Sequence, residues 1–103
     1  MRRLLDTLEF EWDKGNIDKN YEKHGITQKE AEEVFVSEEL FVKEDIKHSQ
    51  KEERYIAFSI SQSGIYILVV FTMRIKKIRI ISARKMHRKE IEKYEKAKKD
   101  STL

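Results

Sequence analysis

Apolar and polar positions change rhythm several times along this chain, and each change marks an element. Leu8-Glu9-Phe10-Glu11-Trp12 alternates with period two, the pattern of a short strand with one buried face. Asp13 and Lys14-Gly15-Asn16 make a turn, and Ile17 to His24 reads as a short helix ending at Gly25, the usual residue for a left-handed C′ position. Thr27 with Glu30 forms the Thr-x-x-Glu capping box, which predicts a second helix burying Ala31, Val34 and Phe35 and fading near Ser37. Leu40 to Ile46 is a weak strand, and the polar run from His48 to Glu53 leads into the next. Arg54 to Ser61 sets Ile56, Phe58 and Ile60 against Tyr55, Ala57 and Ser59, so one face is buried and the other polar. Ser61-Gln-Ser-Gly64 turns the chain, and Ile65 to Thr72 is apolar on both faces, as expected of a central strand. Arg74 to Lys77 connects it to a last strand, Ile78 to Ala83. From His87 to Lys98 a helix presents Ile91, Tyr94 and Ala97 as a narrow apolar stripe among basic positions.

The predicted order is β-α-α-β-β-β-β-α. It describes an α+β fold, with an antiparallel sheet of about four to five strands and helices packed on one face. At 103 residues the chain is expected to form a single domain, 1–103. Charged residues make up 40% of it, enough to keep a small globule heavily solvated. No Cys is present, which removes disulfides, thiolate metal sites and Cys nucleophiles from consideration. Glu52 and Glu53 near His48 are not completed by further spaced ligands, so neither a metal site nor a cofactor is expected. No apolar run reaches membrane-span length, and Met1-Arg2-Arg3 opens no signal peptide, so a cytoplasmic location without membrane association is expected.

Charge changes the picture more than composition does. Residues 1–73 hold 10 Lys/Arg against 15 Asp/Glu, whereas residues 74–103 hold 12 against 4. The block Arg74 to Arg88, R-I-K-K-I-R-I-I-S-A-R-K-M-H-R, combines branched strand residues with guanidinium and ammonium groups, Lys85 among them. Arg grips phosphate through a planar fork of donors and keeps its charge, so this block is a candidate polyanion surface, with RNA the first ligand to consider. The plainer reading is a sheet edge blunted by Lys and Arg.

RNA cleavage without a metal needs a base for the ribose 2′-OH, an acid for the leaving 5′-oxygen, and cations for the charge on the phosphorane. Arg54, Arg74, Arg79 and Arg84 supply cations here; His24, His48, Glu52, Glu53 and Tyr94 are the candidate proton carriers. Strand direction puts Arg54 and Arg74 at one end of the sheet and Arg84 at the other, which works against a single site of four arginines. Each candidate also has a structural reading. His24 suits a helix C-terminus, Trp12 suits the core but could stack a base, and Tyr94 belongs to the buried stripe. Glu30, Glu32 and Glu33 suit a solvated helix face that could also receive a basic partner.

Taken in order, Phe10-Glu11-Trp12-Asp13, Asn20-x-x-Lys23-His24-Gly25, His48-Ser49 with Glu52-Glu53-Arg54, Arg79-Ile-Ile-Ser82-Ala83-Arg84 and the Glu-x-x-x-Tyr94-Glu95 helix resemble the BrnT toxin family. The resemblance runs from about Phe10 to Glu95. It implies a RelE-like fold and a metal-independent endoribonuclease that inhibits translation. It also implies a BrnA-type ribbon-helix-helix antitoxin as partner, through which DNA would be contacted only indirectly. The positions carried over are Arg54, Arg84, Lys23 and His24 first, then Glu53, Arg74 and Arg79. With the candidates from the residues themselves, the expected catalytic set is Arg54, Arg84, Glu53, His48 and Arg74, and the RNA-binding set Lys23, His24, Arg79, Lys85 and Trp12. The sequence departs from relatives at Arg74-Ile-Lys-Lys77, where Gly or Asp is usual, and in the extension Met1–Thr7. The alternative is a non-catalytic module that binds RNA or the ribosome, or a co-repressor partner.

Overall fold

The computed structural model describes residues 9–12, 24–45 and 52–101. The Met1–Thr7 extension, most of the Ile17–His24 helix, Lys23 and His48 lie outside them. The described elements are β1 (Glu9–Trp12), α1 (Gln28–Glu33) with a 3-10 turn (Val34–Val36), β2 (Phe41–Glu44), β3 (Arg54–Ile60), β4 (Tyr66–Arg74), β5 (Lys77–Lys85) and α2 (Arg88–Ser101). They form one five-stranded sheet in the order β1-β5-β4-β3-β2.

Strands β2 to β5 are an antiparallel meander, as the short connections require. The sheet is nevertheless mixed, because β1 pairs with β5 in parallel, Phe10 opposite Ile78 and Trp12 opposite Ile80. That corrects the antiparallel expectation. Period two reports which face of a strand is buried and carries no information on the direction of its neighbour. The connection from β1 travels through α1 to the far edge at β2, and the meander brings β5 back beside β1 running the same way.

The helices also lie on opposite faces rather than one. Cross-strand partners share a face, so Ala57, Val69 and Ala83 define one side, on which Ile26, Ala31, Val34 and Phe35 from the α1 region pack. The Phe35 ring meets Phe71 edge-on at 4.9 Å and Phe10 at 5.5 Å. On the other side, Leu68, Phe58, Phe41 and Tyr66 receive Ile91 and Tyr94 of α2. Both faces of β4 are thereby covered along the part where it is apolar on both.

Local signals explain the ends of the elements. Thr27 caps α1 through its hydroxyl to the Glu30 amide at 3.1 Å, and the Glu30 carboxylate returns to the Thr27 amide at 3.0 Å. Glu32 and Glu33, expected to be solvated, are tied to the sheet. Glu32 accepts from the Trp12 indole at 2.9 Å, and Glu33 from the Gln62 amide in the β3–β4 turn at 3.3 Å.

Helical geometry ends at His24, and Gly25 takes φ +68°, in line with the expected C′ glycine. In the β4–β5 hairpin the left-handed position falls on Lys76, at φ 56°. A side chain there is strained by roughly 1 kcal/mol, which glycine relieves at some cost in unfolded-chain entropy. Lys76→Gly is therefore expected to raise stability by about 0.5 kcal/mol, seen as a rise of a few degrees in thermal midpoint.

Candidate ribonuclease site

The pleat would ordinarily send Arg79 and Arg84, an odd number of residues apart, to opposite faces of β5. Between Val70 and Phe71 the register with β4 shifts, so that Phe71 faces Ile80 while Val70 faces Ser82, and Ile81 is the extra residue of a β-bulge. The bulge resets the alternation. Arg79 opposes Thr72 and Arg84 opposes Leu68, both on the face that carries α2, while Ile78, Ile80 and Ala83 go to the α1 core.

Arg54 also opposes Thr72, from the other side, and Arg74 opposes Lys77. Arg54, Arg79, Arg74 and Lys77 are thus gathered around Thr72 at one end of a single sheet face. Two carboxylates stand among them. Glu11 of β1 meets Arg79 at 2.9 Å, and Glu52 meets Arg74 at 3.5 Å. The Arg74–Glu52 pair is about half exposed, and exposed ion pairs are worth only about 0–1 kcal/mol, so an arriving phosphate can exchange for the carboxylate at little cost. Thr72 itself is fully buried, and its hydroxyl has no hydrogen-bond partner among the described residues. Replacing an unsatisfied buried hydroxyl by a methyl group of the same shape removes a desolvation penalty. Thr72→Val is expected to stabilise the fold by about 1 kcal/mol, measured as a higher denaturant midpoint at unchanged slope.

Arg84 lies apart from this group. Leu68, its partner, is four residues along β4 from Thr72, a separation of about 13 Å. Its guanidinium forks onto Glu90 of α2 at 2.8 and 2.9 Å and also donates to the Lys85 carbonyl at 3.1 Å. Glu90 in turn accepts from the His87 amide at 2.7 Å, the reciprocal half of a capping box at the start of α2. Arg84, first among its causes, with the His87 amide, holds the Glu90 carboxyl down at about 2. The same bond raises the Arg84 guanidinium.

The remaining candidates divide between the faces. Trp12 packs against the α1 core with its indole bonded to Glu32, on the side opposite Arg54. Lys85, opposite Ile67, is exposed on that same side. Glu53 accepts the Tyr55 hydroxyl at 2.5 Å, a bond that raises the Tyr55 pKa. His24 is half-buried just before Gly25 and is engaged within the fold. The Tyr94 hydroxyl donates to the Glu39 carbonyl at 2.6 Å, which ties α2 to the β2 edge.

The family model for the BrnT ribonuclease toxin of type II toxin–antitoxin systems matches residues 12–90. The chain belongs to the BrnT family. It is therefore a ribonuclease toxin of a type II toxin–antitoxin system, with RNA as substrate class and an antitoxin protein as partner. No curated protein matches it.

Among the described residues of this BrnT toxin, the gathered arginines form a cluster whose chemistry suits a phosphodiester. Guanidinium groups fixed on a sheet can hold a phosphodiester and neutralise the extra negative charge of its pentacoordinate state without reorganising. Thr72 enters this cluster with no sequence signal, while Glu11 stands in the Phe10–Asp13 motif and Lys77 in the basic block with no site role assigned to either. Their place there becomes visible only when the parallel pairing of β1 and the register of β3, β4 and β5 are known. Glu90 escapes sequence reading for another reason: its capping partner is the amide of His87, and the motif lacks the Ser or Thr that announces a capping box. No helix among the described residues is long and apolar enough to cross a membrane.

Proposed function

We propose that this BrnT toxin cleaves RNA without a metal ion, at the face bearing Arg54, Arg74 and Arg79, and so halts translation. The observation that carries the reading is the pairing of Arg54 and Arg79 with Thr72 from its two sides, with Arg74 opposite Lys77 in the adjoining hairpin, which sets three guanidinium groups on one face at one end of the sheet. The three guanidinium groups hold the scissile phosphate and the charge that develops on it. Glu52, beside Arg74, is the carboxylate of this face placed to take the 2′-OH proton. His48, on the same segment leading into Arg54, is the proposed proton donor to the leaving 5′-oxygen. Arg84 stands outside the reaction and holds the scaffold, locking α2 onto the sheet through Glu90.

In this reading the fold is RelE-like and the protein acts in the cytoplasm. Its partner is a BrnA-type ribbon-helix-helix antitoxin, through which the pair represses its own operon. An antitoxin that delivers carboxylates to the arginine face would compete directly with RNA.

The test uses full-length protein freed of antitoxin and incubated with RNA in excess EDTA. Cleavage products that disappear on adding back the antitoxin are expected. RNA binding that weakens steeply with salt but yields no products would replace the enzyme by a non-catalytic RNA-binding module.

A further inference from the structure

Where α2 crosses the edge of the sheet, it leaves a pocket of about 350 Å³ between itself and β2, with Phe41, Phe58, Tyr94 and Ala97 as its apolar surface and Lys43 and Lys93 among its lining. We infer that this pocket is a nucleobase subsite, which seats one base of the RNA strand whose phosphate is held at Arg54. The inference rests on the ribonuclease reading for the identity of its ligand.

Three observations favour a base over another occupant. First, the pocket lies on the arginine face: Phe58 and Arg54 both point from β3 to the α2 side, four residues and about 13 Å apart. Lys43, opposite Ile56, stands between them and continues the line of cations. Second, the aromatic surface is reachable. The exposed Lys43 ammonium stands 5.5 Å from the centroid of the Phe58 ring, so that ring presents a face from outside. The Phe41 ring is edge-on to Tyr94 at 5.6 Å, which fixes its orientation before any ligand arrives. Third, the charges suit a phosphodiester. Lys93 and Lys43 have no acidic partner among the described residues, and the one lining carboxylate, Glu90, is already forked by Arg84. Aromatic faces interleaved with cations along one groove are the physical requirement for holding single-stranded nucleic acid. The volume also lies within the range of small-ligand clefts.

The experiment measures binding of 2′-O-methyl oligoribonucleotides, which cannot be cut, by fluorescence anisotropy with the full chain. One sugar at a time along the probe is made abasic. Wild type is expected to show a single position, to one side of the phosphate at Arg54, where loss of the base weakens binding about fivefold or more. Phe58→Leu, which keeps the apolar bulk and removes the ring, is expected to abolish that difference while leaving affinity for the abasic probe unchanged. The surface double variant Lys43→Gln/Lys93→Gln, which puts no buried packing at risk, should weaken all probes. It should also flatten the salt dependence by roughly 0.7 per cation in log–log slope. Equal affinity at every abasic position, or the same single drop in Phe58→Leu, overturns the subsite. So does a result in which the variants lose only antitoxin binding, since the pocket would then belong to a protein partner. Because the probe is not cleaved, failure of the wild type to cut ordinary RNA would remove the ribonuclease reading without altering the abasic scan.

Discussion

Arg54→Ala is expected to lower the rate of RNA cleavage by about two to three orders of magnitude while leaving the thermal midpoint within a few degrees of wild type. That is the usual cost of removing one preorganised donor from a site of developing charge. Arg54 stands at the first position of β3, opposite Thr72 and next in line with Arg79, so the β3–β4 ladder survives its truncation. Arg79→Ala should behave similarly, although it also leaves Glu11 without its partner. If the two guanidinium groups act on one phosphate, Arg54→Ala/Arg79→Ala should cost less than the product of the single effects, because residues that act as a unit are not additive. Arg54→Lys should recover charge but not the fork and fall between wild type and alanine. Single-turnover cleavage of a defined oligonucleotide at saturating protein separates these rate losses from weaker binding. Intact cleavage in Arg54→Ala would remove Arg54 from the site and with it the proposed centre.

Glu90→Gln should have the largest effect on stability. It removes the charge from a partly buried fork to Arg84 and weakens the bond to the His87 amide that starts α2. Losing a charged hydrogen-bonded partner together with a helix cap is expected to cost about 2–3 kcal/mol, or about 10 °C in thermal midpoint for a domain of this size. The pH dependence follows from the carboxyl being held at about 2, below its ordinary 4.5. A depressed folded pKa contributes stability that is present above the unfolded value and lost as pH falls through the folded one. Wild-type stability from this group should therefore decline between about pH 5 and pH 2, and the difference between wild type and Glu90→Gln should shrink across the same window. Arg84→Ala should reproduce much of the loss, and the double variant should cost little more than either alone. Cleavage per folded molecule, measured well below the midpoint, should be nearly unchanged in both single variants. An Arg84→Ala protein as stable as wild type but a hundredfold less active would instead place Arg84 in the chemistry.

The two outcomes together would separate guanidinium groups that meet RNA from one that holds the scaffold, a division that charge and spacing leave open. Arg54, Arg79 and Arg84 are chemically identical in the sequence, and all three lie on strands. What differs is the neighbour each strand brings to them.

Much of the fold is legible in the sequence. The alternation of Arg54 to Ile60 marks a strand but misnames its faces: Ala57 and Ser59, expected on the polar side, are fully buried beneath α1, and Ile56, Phe58 and Ile60 are only partly covered. The two-sided apolar run of β4, the Thr27–Glu30 capping box, the turn at Gly64 and the Ile91–Tyr94 stripe are read correctly because each depends on residues close in sequence. Their energetics are largely decided within a turn or a strand, so a pattern of a few positions suffices to read them. The separation of Arg54 and Arg74 from Arg84 followed in the same way from strand direction and length.

What could not be read locally was everything set by pairing between distant segments. The parallel docking of β1 on β5 brings Glu11 to Arg79 across most of the chain length, and the opposite placement of α1 and α2 divides the apolar residues into two cores. The decisive case is Ile81. The run Ile78 to Ala83 specifies a strand, but nothing in it says that one residue will be left out of the ladder with β4. That slip is selected because it lets Ile80 and Ala83, an odd number of residues apart, both enter the same core, and it turns Arg79 and Arg84 to the same face as a consequence. A period-two pattern determines which residues make a strand. Only the packing of five strands against two helices decides where that period is broken and which strands lie side by side, and the candidate arginine site depends on that pairing.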